Sequence, residues 1–202
     1  MADHDPITHD VLRTFEDVRS RTFARLEGLT DAEYLWQPVP ECMTIRRTDE
    51  GVYRADSRLP KAPSSPDARD ARDATDTTDS LDNEADDPAA PVTTIAWRMW
   101  HIGSDCLRGY LSFFEDVPAL GDPFEWPGTA DRGILAMEED WARFITRIEG
   151  LGDERLMQPM GPRAEEFADA SFLALALHAL DEVAHHGGEL GLLRDLYLRE
   201  GA

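Results

Sequence analysis

Glu182 and His186 stand four residues apart in the run HALDEVAHHGGELGLLRDLYLRE, which extends from His178 to Glu200. On an α-helix that spacing stacks the two side chains on one face, one turn apart. The same face carries Leu175, Ala179, Leu190, Leu193 and Tyr197, so a carboxylate and an imidazole interrupt an otherwise apolar stripe. Taking an ionised carboxylate out of water costs several kcal/mol or more unless it is paired, hydrogen-bonded, neutralised or bound to a cation. Two arrangements meet that requirement. One is an internal polar pair, with Glu182 bonded to His186 or to a distant arginine; the other is a divalent cation held by both residues.

A second signal lies in PVTTIAWRMWHIGSDCLRGYLSFFED, where Trp97, Trp100, Leu107, Leu111 and Phe114 gather on one side of a helix and His101 lies at its edge. Helical bundles build metal sites from side chains on facing helices. One imidazole from this helix and the Glu182–His186 pair make three protein ligands. Two neutral imidazoles and a carboxylate suit Zn²⁺, Ni²⁺, Fe²⁺ or Mn²⁺ and leave a position for water or substrate. Asp105, one turn after His101, is placed either to orient that imidazole or to stand as an exposed helix carboxylate. His178 lies two turns before His186, about 12 Å along the axis, and reads as an outer partner rather than a ligand. His185 points about 100° away from His186 and reads as a rim or interface residue. Arg194 beside Asp195 is a surface or interface pair, or an anchor for a substrate carboxylate. Trp97 and Arg194 are the candidate lining of a substrate pocket.

The stretches TTIAWRMWHIGSD and DEVAHHGGELGLLRDLY resemble those of the DinB-like superfamily of metal-binding four-helix proteins, which includes thiol-dependent S-transferases and mycothiol-dependent maleylpyruvate isomerase. HHGGE is similar to the HHRGQ-like segment of that family. The resemblance covers nearly the whole chain except Ser57 to Ala90. It implies a histidine triad at His101, position 182 and His186, and this sequence departs at the second, where Glu182 stands in place of histidine. A carboxylate is an ordinary ligand for a divalent ion, and the change lowers the charge of the site by one unit. The resemblance further implies a metal-dependent enzyme that activates a low-molecular-weight thiol or water for attack on an electrophilic small molecule. The competing expectation is a non-catalytic bundle with a metal-free or ligand-binding polar cluster.

The elements that must position these residues read as helices. Pro6 to Leu26 places Val11, Leu12, Phe15, Val18 and Leu26 at three-and-four spacing, with Thr22 and Phe23 bridging the gap. Asp5 before Pro6 marks its start and Gly28 its end. Tyr34, Leu35 and Trp36 form an aromatic-rich connection that covers the bundle ends. Cys42 to Asp56, with Asp49-Glu50-Gly51 at its centre, predicts a small hairpin. Thr93 or Thr94 caps the second helix. Three prolines and two glycines make Val117 to Gly128 a loop, with Phe124 and Trp126 as a pocket roof or core cover. A third helix, capped by Thr129 or Asp131, carries Ile134, Met137, Trp141, Phe144, Ile145 and Ile148 and stops at Gly150 and Gly152. The fourth opens near Asp169 or Ser171. The expected architecture is an all-α four-helix bundle in a single domain over residues 1–202. Residues 57–90, rich in Asp, Ala, Thr, Ser and Pro, form an acidic low-complexity insertion expected to be a mobile linker.

Composition narrows the partners. The chain of 202 residues carries 20 basic and 41 acidic side chains, a formal net charge of −21, which argues against nucleic-acid backbones and anionic membrane surfaces. The two cysteines, Cys42 and Cys106, form no Cys-x-x-Cys pair, and the beginning of the chain has no basic segment followed by an apolar core. A cytoplasmic protein acting on a small molecule is expected. Gly187, Gly188 and Gly191 each cost up to about 1 kcal/mol relative to alanine inside a helix. They point to close approach by the second helix or by a symmetric partner, the latter making a homodimer.

Overall fold

The computed structural model describes residues 5–56, 92–114 and 121–200. The expected linker over 57–90 and the first part of the 117–128 loop lie outside them. Helix α1 spans Pro6–Leu26, and Gly28 leaves it with a positive φ of 70°. Asp5 precedes it without capping it: its carboxylate instead accepts from the Asp153 N–H at 3.1 Å. The short α2, Asp31–Tyr34, starts in a capping box of Thr30 and Glu33. Strands β1, Ile45–Arg47, and β2, Tyr53–Ala55, pair antiparallel, with Arg46 opposite Arg54 and Gly51 in the turn at φ 88°.

Helix α3, Ile95–Trp100, is capped by the Thr94 hydroxyl, which accepts from the Trp97 N–H at 3.2 Å. The backbone then changes to a π-helix over His101–Arg108, closed by the Gly109 N–H donating to the Ser104 carbonyl five residues back. A continuous α-helix was the expectation, because apolar periodicity reports the buried face and not the hydrogen-bond register. Packing bears on the widened turn directly at Gly103. A Cβ there would lie 2.7 Å from the Trp126 indole and 3.4 Å from Asp140 Oδ2, so the residue admits both neighbours against the backbone.

Helix α4 spans Ala130–Glu149, and its first N–H is held by Asp31 Oδ1 at 2.8 Å, a cap supplied from α2 in place of Thr129 or Asp131. After α5, Gly152–Leu156, helix α6 runs Phe172–Glu200, with the Ser171 hydroxyl accepting from the Ala174 N–H. The four long helices form a closed ring of neighbours: α1 packs on α6 and α4, and α3 with its π-helical continuation packs on the same two. All four line a common core around Phe15, Trp97, Met99, Leu107, Met137, Trp141 and Phe144. The fold is an all-α four-helix bundle with one small hairpin between its first two long helices. Among the described residues no helix is long and apolar enough to cross a membrane.

The glycines of α6 face a different neighbour from the one expected. A Cβ at Gly187 would lie 2.5 Å from the Thr22 hydroxyl oxygen, and one at Gly191 would lie 3.2 Å from the Arg25 Nε, so the close approach is by α1 and not by the second helix. Gly188 faces open space.

Candidate metal centre

His101 begins the π-helix and Glu182 and His186 lie on the facing turns of α6, so the three arrive from two helices that pack directly on each other. His101 is 3% exposed and His186 1%, while Glu182 is half-buried. His101 Nε2 lies 3.3 Å from Glu182 Oε2, and His186 Nε2 lies 3.2 Å from that same oxygen. The two rings meet edge to face with centroids 4.6 Å apart. One donor atom from each of the three residues falls within 4.8 Å of the others, so the group could hold a metal ion.

Each imidazole is also gripped from behind. His101 Nδ1 lies 2.8 Å from Asp105 Oδ2, and His186 Nδ1 lies 2.8 Å from Glu189 Oε2. Trp97 stacks on the His101 ring at 5.5 Å, and its indole N–H donates to the Asp56 carbonyl. Arg98, itself buried, places Nε 2.8 Å from the Glu189 oxygen that faces His186. His178 Nε2 sits 3.9 Å from the second oxygen of Glu182, too far to bond it well. Arg194 lies on the α1–α2 side, where Nε meets Glu33 Oε1 at 2.9 Å and a terminal nitrogen donates to the Arg25 carbonyl. Its neighbour Asp195 pairs with Arg25. A substrate carboxylate at Arg194 would therefore have to compete with Glu33.

The hydrogen-bond inventory constrains the charge of the centre. A neutral imidazole offers one N–H and one lone pair. If both Nδ1–H groups donate to Asp105 and Glu189, in the carboxylate–histidine arrangement common behind metal-binding imidazoles, both Nε2 lone pairs and Glu182 Oε2 turn toward one another at 3.2–3.3 Å. Lone pairs that close repel unless positive charge lies among them. Either second protons on the imidazoles or a bound cation supplies it. Tetrahedral bonds of about 2.0–2.1 Å to nitrogen and oxygen separate those atoms by about 3.3–3.4 Å. The observed nitrogen–oxygen separations fit that spacing.

Burial pushes the Glu182 carboxyl up, but the imidazoles of His101 and His186 beside it outweigh burial and hold it well below the usual carboxylate range. Glu189 is lowered in the same way: burial opposes, and His186 and the Arg98 guanidinium prevail. Folding thus favours ionised Glu182. Its contribution is fully present above the free value of 4.5 and is lost as pH falls through the folded value. Metal-free Glu182→Gln protein is accordingly expected to lose less thermal stability than the parent chain between about pH 5 and pH 3. Equal losses in a series of melting curves across that range would contradict the assignment.

A second trio, His185, His186 and Glu189, also brings donor atoms within 4.8 Å. His185 is largely exposed, as its position on the helix predicts, with Nε2 3.4 Å from Glu189 Oε1. Arg98 already places a positive charge on Glu189, so the inward trio is the better cation site. Three residues of this neighbourhood escape a reading of the sequence. Glu189 was discoverable, since it lies three residues after His186 on the same helix face. Arg98 needed the approach of α3 to α6. Cys106 gave no signal: its Sγ lies 3.5 Å from His101 Nε2 and 3.7 Å from Glu182 Oε2, yet five residues is the wrong interval for one face of an α-helix.

Fold and site together define a helical bundle with a buried histidine–carboxylate cluster between facing helices. The family model of the DinB superfamily matches residues 14–190, and the chain belongs to that superfamily. No curated protein and no solved structure gives a significant match.

Proposed function

We propose that His101, Glu182 and His186 hold a divalent metal ion and that the protein is an enzyme activating a low-molecular-weight thiol, or water, for attack on an electrophilic small molecule. One observation carries this reading: two imidazole Nε2 atoms and a carboxylate oxygen converge at metal-ligand spacing while both Nδ1 atoms are engaged by other carboxylates. When bound, the ion would lower the pKa of the nucleophile. The chain's own residues do the positioning. Asp105 and Glu189 hold the Nδ1 protons and so present both Nε2 atoms inward, and Trp97 fixes the plane of the His101 ring. Glu182 contributes the negative charge that offsets a dication. Membership of the DinB superfamily, which includes thiol-dependent S-transferases, supports a thiol as cosubstrate, with Zn²⁺, Ni²⁺, Fe²⁺ and Mn²⁺ as the ions this donor set accommodates.

We further read residues 1–202 as one domain of a cytoplasmic protein, supported by two unbridged cysteines. A homodimer through α6 is supported by the exposed Leu192 and Leu196 and the open face at Gly188. A second reading, a non-catalytic bundle, rests on the same contacts: two imidazolium rings would satisfy Glu182, Asp105 and Glu189 without a metal.

Protein purified without an affinity tag is expected to contain close to one equivalent of metal, and EDTA is expected to lower its melting temperature. Substoichiometric metal together with unchanged melting favours the imidazolium cluster and removes the enzyme reading. With metal present, incubation with thiols and electrophiles separates S-transfer from hydrolysis by the product formed.

A further inference from the structure

Cys106 is buried at 3% exposure, in the face of the π-helix that looks into the metal centre. Hydrogen bonds between residues five apart bring position 106 back over position 101, which an α-helical turn does not do. The result is that Sγ stands 3.5 Å from His101 Nε2 and 3.7 Å from Glu182 Oε2, the same two atoms that face each other at 3.3 Å. Bonds of about 2.3 Å to sulfur and about 2.0–2.1 Å to nitrogen or oxygen, at tetrahedral angles, separate sulfur from those atoms by about 3.5–3.6 Å. The sulfur edges to His101 and Glu182 fit that spacing.

We infer that Cys106 is a fourth donor to the metal, making a centre of two nitrogens, one oxygen and one sulfur from His101, His186, Glu182 and Cys106. The inference rests on the metal-binding reading above and narrows it. A thiolate selects borderline or soft ions, Zn²⁺, Co²⁺ or Ni²⁺, over Mn²⁺. The thiol proton leaves to solvent as the sulfur–metal bond forms. Four protein donors fill a tetrahedral shell, so a thiol cosubstrate reaches the ion only if Cys106 gives way or the shell expands to five.

The test is titration of the metal-stripped full chain with Co²⁺, read by absorption. Thiolate ligation produces an intense near-ultraviolet sulfur-to-cobalt charge-transfer band, separate from the weak visible bands of any cobalt site. The chain has two cysteines, so a band that survives Cys42→Ser assigns Cys106 without altering it. Cys106→Ser is expected to lose the band. It should also weaken Co²⁺ binding by more than the roughly 10–100-fold that loss of an outer partner of a metal ligand costs. Cobalt bound with visible bands but no charge-transfer band overturns the fourth donor and leaves the three-residue centre standing, as does a band that vanishes in Cys42→Ser. Absence of cobalt binding in the parent chain overturns both readings.

Discussion

The His101→Ala protein is expected to emerge from purification without its metal. His101 is the one donor among His101, Glu182 and His186 that comes from outside α6, so without it that trio is reduced to two residues of one helix. The substitution also releases Asp105 from Nδ1 and removes the ring against which Trp97 stacks. The loss in affinity should therefore exceed the roughly 10–100-fold cost of removing an outer partner alone. Elemental analysis reads the occupancy directly. Melting of the variant should no longer respond to EDTA, because there is no ion to withdraw. Full occupancy in His101→Ala would take this imidazole out of the centre.

The largest effect on stability is expected outside the His101–Glu182–His186 trio, at Asp140. Its side chain on α4 is fully buried and accepts from Arg108 at 2.9 and 2.7 Å, a bidentate pair, and from Arg143 at 3.0 Å. Burial pushes this carboxyl up, and the two guanidinium groups pull against it. Asp140→Ala leaves Arg108, with little exposure of its own, beside an empty space. Removing one partner of a buried ion pair typically costs about 3–5 kcal/mol. At about 2–4 °C per kcal/mol for a domain of this size, the melting temperature should fall by on the order of 10 °C. A drop of only a degree or two would mean that solvent reaches the pair. Arg108 is the last residue of the π-helix, so the same pair ties the segment that carries His101 and Cys106 to α4. The variant should accordingly bind metal more weakly as well as melt earlier.

The long helices were legible because their apolar faces repeat at helical spacing and their ends carry ordinary signals. Pro6, Thr94, Ser171 and Gly28 stand where the helices begin or end, and Gly51 turns the hairpin. Glu182 and His186 were legible for the same reason: four residues on a helix is also four residues in space. Interactions between elements were less accessible. The N-terminus of α4 is held by Asp31 from another helix, and the close contact at Gly187 comes from α1, because a helix records in its sequence that a face is crowded but not by whom.

Residue types and intervals along this chain were enough to specify a bundle, its apolar faces, and two potential ligands one turn apart on its last helix. Distances between helices were beyond them. The convergence of His101 with that pair, the backing of both rings by Asp105 and Glu189, and the return of Cys106 to the centre depend on how α3 and α6 pack and on a π-helical register. Local periodicity follows from the geometry of one backbone turn, whereas a site shared by two helices exists only after burial of their apolar faces has chosen which turns meet.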